Sequence, residues 1–330
     1  LQLEGVHKSM ACAIASEQHA GAPEWLQALI GALGARARVN EPLAPYTSMR
    51  VGGPADLLAV CRTTDEVVAV VEAARAAGAP WVVLGGGCNV LVADAGVRGL
   101  VILCQADRTR IGPDGIVWAE AGAPMAALAR QTAGQGLAGL EWAAGLPGTV
   151  GGAVVGNAGA FGGDVASVLQ SITLLEPDGT VTERPAGWME FAYRESRIKR
   201  RPSGSRPVVL AATFRLSPGD PEALAARMEE ILAWRRTRHP SGATMGSTFK
   251  NPAGGHAGRL IEAAGLKGCC IGGAMVSEKH ANFLINTGSA TAADVLALVR
   301  HIQQEVERQF GVRLELEVEL VGEWDADERR

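Results

Sequence analysis

Trp81-Val82-Val83-Leu84-Gly85-Gly86-Gly87-Cys88-Asn89 decides how this chain is built. The four apolar residues read as a short buried strand. The glycines after it end the strand and leave backbone N–H groups open, because no Cβ stands in the way of an approaching phosphate. Upstream, Leu57–Val60 reads as another buried strand, and Thr64–Ala77 as the helix between the two. Thr63 and Glu66 have capping-box spacing, and Val67, Val70, Val71 and Ala74 form one apolar stripe. Gly78 and Pro80 close the helix. The unit is β-α-β and ends on a glycine turn. That turn is not the G-x-G-x-x-G fingerprint, since no glycine follows at the third position. It is not a Walker A loop either, since no Lys-Ser/Thr follows.

Downstream, the section Gly85–Gly163 is rich in glycine and short strands, among them Val101–Leu103 and Ile116–Ala119, with a helix over Pro124–Gln135. It contains a second such turn, Gly145-Leu146-Pro147-Gly148-Thr149-Val150-Gly151-Gly152. Either turn alone could be mere tight backbone. Two of them in one strand-rich section suit two backbone cradles for the phosphates of a dinucleotide. Ile172–Leu175, Pro177-Asp178-Gly179 and Val181–Glu183 read as a hairpin, and Val208–Leu216 as a closing strand.

Ser217-Pro218-Gly219-Asp220-Pro221 reads as a linker, with Asp220 capping a helix that has Pro221 at its first position. Leu224, Met228, Ile231 and Leu232 give that helix its apolar face. A second helix spans Ala292–Phe310, capped by Thr291 and stopped by Gly311. With strands Ile271–Val276 and Asn282–Asn286 between the helices, Pro221–Phe310 reads as a compact α+β unit. Val312–Leu320 then alternates strictly, which predicts a strand with Glu315, Glu317 and Glu319 on one face. Periodicity does not say which of the three, if any, does chemistry.

With 330 residues the chain is too long for one ordinary core, so two or three domains are expected. Net charge is −4 and the cations are scattered, which gives no support for a nucleic-acid partner. The run Arg235, Arg236, Arg238, His239 reads as a solvated helix end. The six cysteines lack C-x-x-C spacing and the histidines do not cluster with them, so reduced thiols, a cytoplasmic setting and no metal are expected. No apolar stretch is long enough for membrane insertion. Leu1–Ala20 lacks the basic start and sustained apolar run of a signal peptide. It reads as a disordered or added tail, with Met10 as the natural start.

Gly246-Ser247-Thr248-Phe249-Lys250-Asn251-Pro252 brings a hydroxyl, an ammonium and an amide together between Gly and Pro punctuation. Turn chemistry alone explains such residues, and so does convergence on one small ligand. Phe191-Ala192-Tyr193-Arg194-Glu195-Ser196 sets an arginine beside one of only two tyrosines. Alone it reads as a surface turn.

Taken together, these motifs resemble the UDP-N-acetylenolpyruvoylglucosamine reductase (MurB) flavoenzymes. The resemblance covers about Asn40 to Glu323 and looks like the family's shorter form. It rests on Tyr46–Gly53, Gly85–Val92, Gly145–Gly162, Phe191–Ser196, Gly246–Pro252, Gly265–Gly268, Val276–Asn286 and Phe310–Gly322. It implies an α+β fold: a two-part FAD-binding region of the vanillyl-alcohol-oxidase/PCMH type plus a C-terminal α+β substrate domain. Residues 21–80 with 312–330 would be the first FAD-binding domain, 81–216 the second and 217–311 the substrate domain. It further implies NADPH-dependent reduction of UDP-N-acetylglucosamine enolpyruvate to UDP-N-acetylmuramate in peptidoglycan precursor synthesis, with noncovalent FAD. A monomer is expected over an oligomer.

Carried over by motif, Ser247 is the proton donor, while Arg194 and Glu317 act on the substrate carboxylate and the charge developing beside it. FAD contacts would come from Arg50, Gly52, Gly85, Gly86, Gly87, Cys88, Asn89, Val90, Gly145, Pro147, Gly148, Thr149, Gly151, Gly152, Asn157 and Gly159. Tyr193, Lys250 and Asn251 would meet the substrate. Cys88 stands where the family has Ser, and His239-Pro240 where many members have Gln-Pro. Two rivals are a different FAD oxidoreductase of this fold and a non-catalytic flavin or nucleotide-sugar binder. The first often carries a His for covalent flavin, and Gly85–Gly163 has none. Retention of Ser247, Arg194 and Glu317 together speaks against the second.

Overall fold

A computed structural model describes residues 23–325. The expected tail, with Cys12 in it, lies outside the described residues. The β-α-β unit is present as strand Pro54–Cys61, helix Thr64–Ala76 and strand Trp81–Leu84. Thr63 caps the helix by accepting from Glu66 N at 3.2 Å. The capping box is offset by one residue, because Glu66 accepts from Arg62 N rather than from Thr63 N. The two strands are parallel but not neighbours. Val97–Cys104 lies between them, and Ala37–Pro42 adds an antiparallel edge. This sheet is covered on both faces, so its inner strands are apolar at consecutive positions. Leu57, Ala59, Leu100 and Ile102 join one core; Ala55, Leu58, Val101 and Leu103 join another.

The second sheet is antiparallel, in the order Val181–Pro185, Leu169–Leu175, Val208–Arg215, Ile116–Glu120 and Thr109–Ile111. The predicted hairpin supplies two of these strands. The second glycine turn runs straight into the helix Val150–Val155, an element its glycine content concealed. Ser217–Pro218 is not a free linker, because it pairs with Leu137–Ala138. Asp220 does cap the helix Pro221–Arg238, accepting from Glu222 N at 3.1 Å. That helix buries Met228 and Ile231 in the first core, beside the glycine-rich section.

The C-terminal core has the helix Ala292–Phe310 as its centre, with a complete capping box at Thr291 and left-handed Gly311 at its end. The strand expected over Ile271–Val276 is broken. Gly272 and Gly273 turn it into the hairpin Cys270–Ile271 and Ala274–Val276, and a Cβ on Gly273 would lie 2.3 Å from Ala290 N. Asp94 couples the glycine-rich section to this core by accepting from Ala292 N and Ala293 N at the helix start, at 2.8 and 2.9 Å. The long strand expected over Val312–Leu320 is also not continuous. Its first half bridges Phe249 through Leu316, and only Glu319–Val321 is regular strand, parallel to Val90–Val92. No helix among the described residues is long and apolar enough to cross a membrane.

Candidate active site

The segments carrying the motifs converge on one cleft of ≈ 1840 Å³. Pockets for single small ligands hold roughly 300–1,000 Å³, so this cleft has room for more than one. Both glycine turns form its wall. A Cβ on Gly86 would stand 3.1 Å from Gly148 Cα, so the bare Cα of Gly86 lets the turns abut. Among the described residues, the backbone N–H groups of Gly85 to Asn89 donate to no protein acceptor. Unpaired N–H groups aimed into a cleft form a nest for an anionic oxygen. The wall therefore fits a dinucleotide such as FAD. Cys88 turns its thiol back on its own turn, donating to Gly86 O at 3.1 Å, and burial pushes that thiol up. Its backbone N–H stays available, as Ser would leave it.

The last segment joins the halves of the site. Glu317 N donates to Thr248 O at 2.9 Å, and Glu319 N to Asn89 O at 3.0 Å. Asn89 Nδ2 donates to Glu317 O at 3.1 Å. Glu317 is thus fixed between the glycine turn and the Gly246–Pro252 loop. That loop is in turn held by buried Asn282, which accepts from Phe249 N at 3.0 Å and donates to Phe249 O at 2.9 Å. Ser247 lines the cleft, and its hydroxyl has no hydrogen-bond partner among the described residues.

Arg194 reaches Glu317 across 123 positions of sequence, its Nε donating to Oε1 at 2.7 Å. Its Nη2 donates to Gly159 O at 2.6 Å. Arg194 has φ +57°, a left-handed conformation costly for a side-chain-bearing residue. Lys199 Nζ caps its carbonyl at 3.2 Å. Burial pushes the Glu317 carboxyl up, and Arg194, Lys199 and Lys250 partly offset this. The arrangement is a fixed guanidinium with spare donors, a poised carboxyl and a free hydroxyl facing one space.

Most residues expected at the cofactor do line this cleft: Gly85–Val90, Gly145, Pro147–Thr149, Gly151, Gly152 and Gly159. Asn251 lines it as well. Arg50 instead borders a separate cavity of ≈ 690 Å³. Gly52 lies off the wall, where a Cβ would meet Val92 Cβ at 2.8 Å. Asn157 binds backbone groups of Ala166 and Ala192. Lys250 is engaged with Glu195 at 2.6 Å, which together with Glu315 raises its ammonium against the downward pull of burial. Tyr193 is an exposed ring whose hydroxyl accepts from Asn251 N at 3.4 Å. His239 lies at the cleft amid Trp234, His280 and Phe283; burial, then Arg235, His280 and Lys279, pull it down to about 4.

Sequence reasoning missed Lys199, Arg206 and Arg235, which line the cleft too. For Arg235 a signal existed. It falls four residues after Ile231 and seven after Met228, on the helix's apolar stripe rather than its solvated side. No cluster of three His, Cys, Asp or Glu able to hold a metal occurs among the described residues. Cys61, Cys88, Cys104, Cys269 and Cys270 are unbridged.

Known proteins share this arrangement. Residues 55–184 match the family described as FAD binding domain, and residues 238–321 that described as UDP-N-acetylenolpyruvoylglucosamine reductase, C-terminal domain. The UDP-N-acetylenolpyruvoylglucosamine reductase of Chloroflexus aurantiacus is 48% identical over 86% of this chain and 96% of its own. That of Rubrobacter xylanophilus is 46% identical over 87% and 96%. The crystal structure of the UDP-N-acetylenolpyruvylglucosamine reductase (MurB) from Thermus caldophilus superposes with a TM-score of 0.73 at 38% identity, covering 86% of this chain and 99% of that one. Matches of this extent run through the cofactor wall and the Ser247 loop alike, and the chain belongs to the UDP-N-acetylenolpyruvoylglucosamine reductase family.

Proposed function

We propose that this chain reduces UDP-N-acetylglucosamine enolpyruvate to UDP-N-acetylmuramate, with Arg194, Glu317 and Ser247 carrying the protein's part of the chemistry. It is an FAD-containing oxidoreductase that uses NADPH in peptidoglycan precursor synthesis. The observation that carries the residue roles is the 2.7 Å Arg194–Glu317 pair in one cleft with the unpartnered Ser247 hydroxyl.

Hydride transfer between NADPH and the enol ether is the chemistry that a bound FAD would supply. Gly85–Asn89, with Gly145, Gly148, Thr149 and Gly152 of the second turn, would hold it noncovalently through N–H groups that meet no acceptor among the described residues. Glu317 and the Gly159 and Asn157 carbonyls fix the Arg194 guanidinium, which keeps two of its five N–H donors for a substrate carboxylate. In that position Arg194 stabilises the negative charge that develops next to the carboxylate. Ser247 gives its proton to the carbon carrying that charge. A serine hydroxyl is a weak acid, so only a strongly basic carbon draws its proton, which fits an unoccupied hydroxyl better than one already committed to the fold. Asn251 contacts the rest of the substrate from the same loop. Three working parts remain, but the first does not end at residue 80, because Trp81–Leu84 and Val97–Cys104 share one sheet with Pro54–Cys61; the helix Pro221–Arg238 packs on the second. The protein acts as a cytoplasmic monomer.

The test is substrate-dependent turnover. Purified yellow protein should oxidise NADPH rapidly only when the UDP-linked enolpyruvyl sugar is present. NADPH consumption at the same rate without that sugar refutes the reading.

A further inference from the structure

The turn that aims Arg194 is braced from outside itself. Ala192 and Glu195 exchange two N–H···O bonds, each of 3.1 Å, which leaves Tyr193 and Arg194 as the two residues of the loop. Arg194 takes φ +57° there, a conformation that persists only where the surroundings impose it. Among the described residues no backbone N–H reaches the Arg194 carbonyl. Lys199 Nζ does, at 3.2 Å.

Lys199 is itself held from both sides. Its backbone N donates to Ser196 Oγ at 3.1 Å, and that buried hydroxyl donates to Val155 O at 2.6 Å. Its carbonyl accepts from Arg206 Nη2 at 2.7 Å, and Arg206 is paired with Glu319. The backbone of Lys199 is thereby tied to the helix Val150–Val155 and to the strand Glu319–Val321. Its side chain lines the cleft and forms no ion pair among the described residues. An ammonium has three donors, and the Arg194 carbonyl occupies one. Burial pulls this ammonium down; Glu319, Glu195 and Glu317 act against burial, and Lys250 acts with it. The cations that act on Glu317 are Arg194, Lys199 and Lys250. Arg194 is its direct partner, and Lys250 is engaged with Glu195 at 2.6 Å. Lys199 alone of the three has no carboxylate of its own.

We infer that Lys199 is a positioning residue for the reduction: its ammonium fixes the turn that carries Arg194 and lends positive charge to the Glu317 side of the pair. This rests on the reading that Arg194 and Glu317 act on the substrate. Lys199 works through those two residues. With it in place, the guanidinium keeps one orientation and the carboxyl opposite stays ionised to hold it.

Lys199→Met removes both the carbonyl donor and the charge. Stopped-flow flavin absorbance of the holoenzyme, taken across pH, reads the NADPH and substrate half-reactions apart. The substrate half-reaction should fall about 10–100-fold at neutral pH, the cost of a slightly misplaced catalytic group. The loss should grow as pH falls, because Glu317 without the Lys199 charge takes up its proton at a higher pH than in wild type. The NADPH half-reaction should stay near wild type. Lys199→Arg, which keeps the charge and the donors, should restore the wild-type pH profile and most of the rate. If Lys199→Met fails to fold, Lys199→Gln keeps an amide N–H for the carbonyl without the charge and should show the same growing loss at low pH. Arg200→Gln should be silent, since Arg200 is exposed and paired with Glu190. A second readout needs no substrate. In a double-mutant cycle of Lys199→Met with Glu317→Gln, followed by denaturant titration at neutral pH, the two stability changes should not add. A substrate half-reaction that stays at the wild-type rate, a loss that is the same at every pH, equal losses in both half-reactions, or additive stability changes overturn the inference. Wild-type protein whose reduced flavin is not reoxidised by the UDP-linked enolpyruvyl sugar instead overturns the proposed function, and the cycle still decides whether Lys199 is coupled to Glu317.

Discussion

Replacing Glu315, Glu317 and Glu319 one at a time by Gln separates a catalytic carboxylate from two that share its strand face. The structure gives them unequal surroundings: their side chains are 76%, 16% and 30% exposed. Removing one partner of a fully buried ion pair costs roughly 3–5 kcal/mol. Arg194 and Glu317 are not fully buried, the amide of Gln can still accept from Nε, and loss of the charge also relieves the burial penalty on Glu317. A stability loss of about 1 kcal/mol is therefore expected for Glu317→Gln. Its effect on the substrate half-reaction should be far larger, about 10²-fold, because the fixed guanidinium loses its anchor where charge develops. Glu315 touches Lys250 only at 3.6 Å, while Lys250 keeps Glu195 at 2.6 Å, so Glu315→Gln should be silent. Glu319 pairs with Arg206 at 2.7 Å, and Arg206 also donates to the carbonyls of Lys199 and Arg201. Glu319→Gln should cost about 0.5–1 kcal/mol of stability and leave the chemistry nearly intact. Stopped-flow flavin absorbance reads the NADPH and substrate half-reactions separately, and denaturant titration reads stability. Glu319→Gln slowing the substrate half-reaction as much as Glu317→Gln would refute the special role of Glu317.

Ser247→Ala should lower the substrate half-reaction by about 10²–10⁴-fold, leaving the NADPH half-reaction and the folding stability near wild type, because the hydroxyl has no hydrogen-bond partner among the described residues. Wild-type flavin reoxidation by substrate in that variant would return the loop to a structural turn. Gly86→Val should abolish flavin retention, since even the first added carbon would lie 3.1 Å from Gly148 Cα; a fully yellow variant after dialysis would count against the cradle. Glu317 has a raised pKa, so its stabilising share is complete below the ordinary carboxyl value and is lost as pH rises through the raised one. Arg194→Met removes an offsetting charge and raises that pKa further. The melting-temperature gap from wild type should therefore widen as pH rises above the ordinary carboxyl range of about 4. A gap independent of pH would show that the pair is not electrostatically coupled.

What the sequence made legible follows from which physics is local. Ala292–Phe310 was readable to the residue because its cap, its stripe and its left-handed glycine lie within the helix itself. The glycine turns were readable because the absence of a Cβ is a property of the residue itself. Partners are not local. Alternation over Val312–Leu320 gave the correct faces but not a strand, because the segment divides its backbone bonds between Thr248–Lys250 and Asn89–Val92. The choice of Glu317 among three glutamates came only from the resemblance, since its distinguishing feature is Arg194 123 residues away. Arg235 shows the opposite case, a local signal overridden by composition. A basic run at a helix end reads as solvated, and Arg236 and Arg238 are exposed. Yet the stripe through Leu224, Met228 and Ile231 continues to Arg235, and that periodicity places its stem inside. A cation on an apolar stripe is a local contradiction of the kind that folds tolerate mainly at functional sites. In this chain it falls on the wall that the glycines keep open.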